Sequence, residues 1–146
     1  MYTESQYEEF EKQMVEAYPK MFAEPYGGFA VGPGWWPILE SLCGQIQHHL
    51  DWKNKKSEVV AQVTVAQIKE KFGGLRFYYD GGDDYIRGLV SMAESWAAHS
   101  CETCGALGER RDGGWIKTLC DYHEAERQLK RKQSEEEYAK QDGLEL

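Results

Sequence analysis

The stretch CETCGALGERRDGGWIKTLCDYHE, residues 101–124, holds three of the four cysteines and one of the four histidines of this 146-residue chain. Two residues separate Cys101 from Cys104, two separate Cys120 from His123, and fifteen lie between the pairs. A structural Zn²⁺ takes four thiolate or imidazole ligands in a tetrahedron, and two close pairs meet that demand when a turn presents each pair. Gly105 supplies the backbone freedom to curl the first pair around an ion. Cys120 and His123, three positions apart at the start of a final helix, share one helix face. We therefore expect Cys101, Cys104, Cys120 and His123 to bind Zn²⁺ as a folding clamp. In small zinc peptides such binding contributes roughly 10–16 kcal/mol, and a ~30-residue segment with few large apolar side chains needs it. Four protein ligands leave no open coordination position, so the ion is expected to do no chemistry.

The rest of the chain is long enough for one core, since folding at this size removes about two-thirds of the extended surface from water. A composition of 41% hydrophobic and 13% aromatic residues supplies that core and excludes a disordered chain. No apolar run approaches the ~18 residues of a membrane span. The polar start MYTESQYEEFEKQ does not read as a secretory signal, so the expected setting is a reducing cytoplasm, where disulfides are the weaker reading of clustered cysteines. Charge is uneven. Residues 1–100 carry 9 basic and 14 acidic groups, residues 101–132 carry 7 and 6, and residues 133–146 carry 1 and 5, for a total of −8. That balance disfavours a long phosphate backbone as partner and suits a basic partner or plain solubility.

Hydrophobic periodicity organises residues 1–99. Thr3 and Ser5 are alternative caps for a first helix with Tyr7, Phe10, Met14, Ala17, Tyr18 and Met21 on one side, ending near Pro19 or Pro25. Gly27, Gly28, Gly32 and Gly34 exclude a regular element before Pro37, which starts a second helix. Its buried stripe is Ile38, Leu39, Leu42, Cys43, Ile46 and Leu50. From Glu58 the period drops to two. Val59, Ala61, Val63 and Val65 predict one strand, and Leu75, Phe77 and Tyr79 the core face of a second, paired through a longish connection. Asp83 caps a third helix with Ile86, Leu89, Val90, Ala93, Trp96 and Ala97 facing inward. The last segment is helix-prone and polar all round.

The fold class that follows is α+β: helices on a small antiparallel hairpin (residues 1–99), then a metal-binding unit with a C-terminal helix (residues 100–146). In that unit a Cys knuckle, a hairpin tipped by DGG and a helix bearing the second ligand pair follow in order. This order resembles the treble-clef class of zinc fingers over about residues 100–132.

Other side chains offer function. Trp35 and Trp36, in a glycine-rich loop, can anchor a partner or belong to the core. Arg76 and Tyr78, expected to face outward, can bind an anion, a base or an acidic partner, or simply form a solvated cross-strand pair. Arg110, Arg111, Lys117, Arg127, Lys130, Arg131 and Lys132 would form a basic nucleic-acid face, although Glu109, Asp112, Glu124 and Glu126 nearly cancel it. His99 is a surface residue or a support to the metal site. His48 and His49 fall on different helix faces, and no serine–histidine–aspartate or paired-carboxylate grouping emerges from spacing.

GWWPILESLC, QIKEKFGGLRFYYDGG and the Cys/His tail together resemble a group of small uncharacterised bacterial and phage proteins, over roughly residues 32–124. The resemblance implies a bacterial or viral setting and assigns no residue a role. The leading expectation is a non-enzymatic, zinc-stabilised interaction protein, with a phage or prophage accessory role that binds and modulates a host protein, such as a defence component, as one hypothesis. A nucleic-acid-binding zinc finger is the alternative. A small-ligand binder or enzyme built on Trp35, Trp36, Arg76 and Tyr78 is the second.

Overall fold

The computed structural model describes residues 2–23 and 25–144. Helix α1 (Glu4–Ala17) begins at Thr3: its hydroxyl accepts the Gln6 N–H while the Gln6 side chain accepts the Thr3 N–H, a reciprocal capping box. It buries Phe10 and Met14. After the short strand β1 (Phe29–Ala30) and a single 3-10 turn (Pro33–Trp35), helix α2 (Trp36–Lys53) starts with Pro37 in its first turn. All six residues of its expected stripe are buried.

Strand β2 (Thr64–Lys71) pairs antiparallel with β3 (Gly74–Asp80), and β1 joins β2 in parallel, giving a three-stranded sheet in the order β1-β2-β3. Three expectations fail here. A strand and a 3-10 turn do form within the glycine-rich stretch, because β2 supplies the hydrogen-bonding edge that β1 lacks alone. The first long strand starts at Thr64 instead of near Glu58. Asn54, closing α2, accepts the N–H groups of Val59 (2.9 Å) and Val60 (3.0 Å) and donates to the Val60 carbonyl (2.9 Å), taking the backbone groups a ladder would need. Finally, β2 and β3 are joined by a two-residue turn, not a long connection: Phe72 (φ 53°) and Gly73 (φ 79°) both occupy left-handed backbone, as a type I′ hairpin turn requires.

Helix α3 (Asp84–Ala97) is capped by Asp83, whose carboxylate accepts the Ile86 N–H at 3.0 Å, and it packs on α2 and β3. Ile86, Val90, Ala93 and Ala97 are buried, whereas Trp96 at the far edge of the stripe is half exposed. Leu75 and Phe77 face the core as expected, beside Trp35 and the α2 stripe. Beyond α3 come the hairpin β4 (Glu109–Arg111) and β5 (Lys117–Leu119), then α4 (Asp121–Leu144). This C-terminal part has its own small cluster of just three buried apolar residues, Cys101, Leu119 and Cys120. So little apolar burial cannot hold ~30 residues in shape, so the segment needs a further constraint.

Candidate metal centre and the groove beside it

The chain leaving α3 turns back on itself at once. Cys101 N–H donates to the Ala106 carbonyl (2.8 Å), Gly105 N–H donates to the Cys101 carbonyl (2.8 Å), and Ser100 bridges Leu107. Gly105 holds φ 80° to close this knuckle. Cys120 lies between β5 and α4, and its carbonyl accepts the Glu124 N–H (3.0 Å) at the first turn of α4, which carries His123 back over the knuckle. The backbone N–H of His123 points at Cys120 Sγ (3.4 Å).

The four ligand atoms lie within 4.8 Å of one another, the one such cluster among the described residues. Cys104 Sγ is 3.8 Å from Cys120 Sγ, and His123 Nδ1 is 3.6 Å from Cys101 Sγ and 3.2 Å from Cys120 Sγ. Zn–S and Zn–N bonds of about 2.3 and 2.05 Å imply tetrahedron edges of about 3.8 Å (S···S) and about 3.5 Å (S···N). Two of the three separations match, and the third, at 3.2 Å, has to lengthen by about 0.3 Å through a small movement of the His123 side chain. The four residues could therefore hold one metal ion. Cys101 is fully buried and Cys120 nearly so, while Cys104 is exposed. Burial pushes the Cys101 thiol up, but backbone N–H groups around Cys120, Cys104 and Thr103 outweigh it and bring the value down to about 7, which favours the ligating thiolate. Cys43 lies apart in the core, where burial alone raises its thiol to about 12. His99 is exposed and donates no ligand to the cluster.

The knuckle does not stand free of the α+β part. Gly34 N–H donates to the Glu102 carbonyl (2.7 Å), Gly32 N–H to Glu102 Oε2 (2.9 Å), the Trp35 indole to the Ser100 carbonyl (2.9 Å), and Thr118 Oγ1 to the Gly73 carbonyl (2.6 Å). Trp35 is thus wholly buried at the junction and presents nothing to a partner. Trp36 is half-buried, stacked on Phe10 (4.5 Å between centroids) and edged by Tyr2 and Tyr7. Arg76 and Tyr78 do face outward, on the side of β3 opposite Leu75 and Phe77, with Lys69 over the Tyr78 ring. Trp35 lies among the core side chains on the other side, so the four residues do not converge and form no common pocket.

Six of the seven basic residues expected on a nucleic-acid face, all but Lys132, are also engaged within the chain. Arg110 pairs with Asp112, Arg111 with Glu109 and Asp121, Lys130 with Glu126, and Lys117 lies 4.0 Å from Glu102. Arg127 pairs with Glu124 (3.1 Å, both side chains largely buried) and donates to the Trp115 carbonyl (2.5 Å); Arg131 donates to the Gly113 carbonyl (2.6 Å). Arg127 and Arg131 are hooks that tie the β4–β5 loop to α4, where its Gly113 and Gly114 take positive φ.

One arrangement has no counterpart in sequence spacing. Between the N-terminal helix, the β1 region and the clamped loop runs a groove of about 670 Å³, whose lining includes Tyr2, Tyr7, Glu70, Glu102, Trp115 and Lys117. These residues run from position 2 to position 117 of the sequence. The only local hint was an aromatic residue directly after a DGG loop tip. Comparison with protein-family models, curated proteins and solved structures found no match.

Proposed function

We propose that the protein is a non-enzymatic interaction protein whose C-terminal part is held by one structural Zn²⁺. The observation that carries the reading is the donor set: three sulfurs and an imidazole nitrogen within 4.8 Å of one another, enough to fill a four-coordinate sphere without water. Three thiolates and one imidazole suit Zn²⁺ better than the oxygen-seeking cations. The order knuckle, hairpin, helix supports a treble-clef-like arrangement. Ion and knuckle buttress the junction at Gly34 and Trp35, so the metal's work is to fix one surface relative to another. In the bacterial or phage setting that the motif resemblance implies, the partner is a host or cognate protein. The nucleic-acid reading has less support, since Arg110, Arg111, Lys117, Arg127, Lys130 and Arg131 all have acidic or carbonyl partners within the chain.

Elemental analysis of native protein tests the reading, with one equivalent of zinc per chain expected. Co²⁺ substitution should give intense tetrahedral d–d bands and a sulfur-to-cobalt charge-transfer band typical of three thiolates. Less than one equivalent of firmly held metal, or a spectrum requiring bound water, would sink the proposal.

A further inference from the structure

The groove at the junction combines features suited to one class of ligand. Its rim carries three aromatic side chains that remain substantially exposed: Tyr2 (49%), Tyr7 (41%) and Trp115 (73%). An exposed tryptophan on a loop is ordinarily mobile, but here Arg127 holds the Trp115 carbonyl and Arg131 the neighbouring Gly113 carbonyl, so the indole is presented from an anchored backbone. The groove wall holds the Glu102 carboxylate, whose side chain is 10% exposed. Its Oε2 is fixed by Gly32 N–H at 2.9 Å, while Oε1 has the Lys117 ammonium at 4.0 Å, too far for a hydrogen bond. Glu70 lines the same space, with Oε1 taken by Gly73 N–H (2.7 Å). Two carboxylates against one ammonium leave the groove negative, and no described residue donates a hydrogen bond to Glu102 Oε1 or Glu70 Oε2, in a groove that aromatic side chains also line.

Aromatic faces beside preoriented carboxylate oxygens attract organic cations. A planar guanidinium fits best: it stacks on an indole and donates in a fork to carboxylate oxygens, which an ammonium cannot do together. We propose that this groove is the partner-binding site and that it receives an arginine side chain of the partner protein, stacked on Trp115 and hydrogen-bonded to Glu102 and Glu70. The net charge of −8 would steer such a basic segment in. The inference rests on the interaction-protein reading above and names its site and the chemistry of its partner.

The test uses the full chain with its metal content measured on the same sample. The probe is acetyl-Gly-Arg-Gly-amide, with the isosteric neutral acetyl-Gly-citrulline-Gly-amide as control, titrated into ¹⁵N-labelled protein. The Trp115 indole and Gly32 amide signals should move with the arginine peptide and be unmoved by citrulline. Trp115→Ala, which keeps the carbonyl that Arg127 holds, and Glu102→Gln, which keeps an acceptor for Gly32, should each weaken binding at least fivefold with the remaining spectrum intact. Metal-loaded protein whose signals do not respond, or respond equally to citrulline, overturns this inference and leaves the interaction reading standing. A sample without metal that also shows no response overturns both.

Discussion

At Gly34 the backbone of the α+β part packs directly on the Cys101–Gly105 knuckle, and replacing this glycine with alanine should uncouple the two. A methyl group there would stand 2.0 Å from the Cys101 carbonyl oxygen, 2.5 Å from the Gly105 nitrogen and 2.7 Å from the Glu102 carbonyl carbon. All three are backbone atoms of the Cys101–Gly105 knuckle, so no rotamer change relieves the overlap. The knuckle must withdraw by about 1 Å, as overpacking of this kind forces backbone shifts. Such a shift breaks or stretches the Gly34–Glu102, Gly32–Glu102 and Trp35–Ser100 hydrogen bonds. At about 1 kcal/mol each, plus desolvation of the buried indole N–H left without its acceptor, the loss comes to about 3–5 kcal/mol. The matched control is Gly88→Ala on the exposed face of α3, where an added Cβ meets nothing within 4 Å. Helix propensity there predicts a gain of about 0.5–1 kcal/mol. Urea unfolding of the metal-loaded proteins separates the two substitutions. A Gly34→Ala protein within about 1 kcal/mol of wild type would refute the argument that the knuckle is seated on this glycine.

Three further outcomes follow from the same geometry. Chelation, or Cys104→Ser, should abolish dispersion of the amide signals from 100–120, because three buried apolar residues cannot hold the segment, while Cys43→Ser should leave metal content at the wild-type level. The Cys43 thiol, raised to about 12 by burial, should resist alkylation at pH 8 in native protein and react fully in denaturant, as peptide mapping would show. Asp83 is held below the ordinary carboxylate range chiefly by its hydrogen bond with His49 (2.8 Å), aided by the Ile86 N–H. A depressed folded value stabilises above the unfolded pKa of about 3.9 and is lost as pH falls through the folded one. Asp83→Asn keeps the cap oxygen and removes the charge, so its deficit against wild type at pH 7 should shrink as pH falls below the ordinary carboxylate range and vanish once the folded carboxyl is protonated, whereas Asp83→Ala should lose about 1 kcal/mol more through the missing cap. A deficit for Asp83→Asn that is unchanged at low pH would contradict this assignment.

The α2 stripe, the Asp83 cap and the four metal-cluster residues were legible in the chain itself, and Thr3 was one of two caps it offered for α1. Each is set by contacts between residues a few positions apart: helical period, side chain to nearby N–H, and paired ligands on a turn. The start of β2 was not legible, although its alternation was clear, because Asn54 competes for Val59 and Val60 from the end of another helix. Trp35 and Trp36 look alike in the sequence, yet one is sealed at the junction and the other stacks on Phe10. Composition showed a basic run near the C-terminus but could not show that Arg127 and Arg131 spend their donors on a loop 12 and 18 residues back. Local periodicity and ligand spacing therefore determine the long helices and which four side chains gather as candidate metal ligands. Which surfaces remain free to bind is decided by tertiary contact, because a side chain's availability depends on partners that sequence distance does not reveal, as when Tyr2, Glu70, Glu102 and Trp115 meet in one groove.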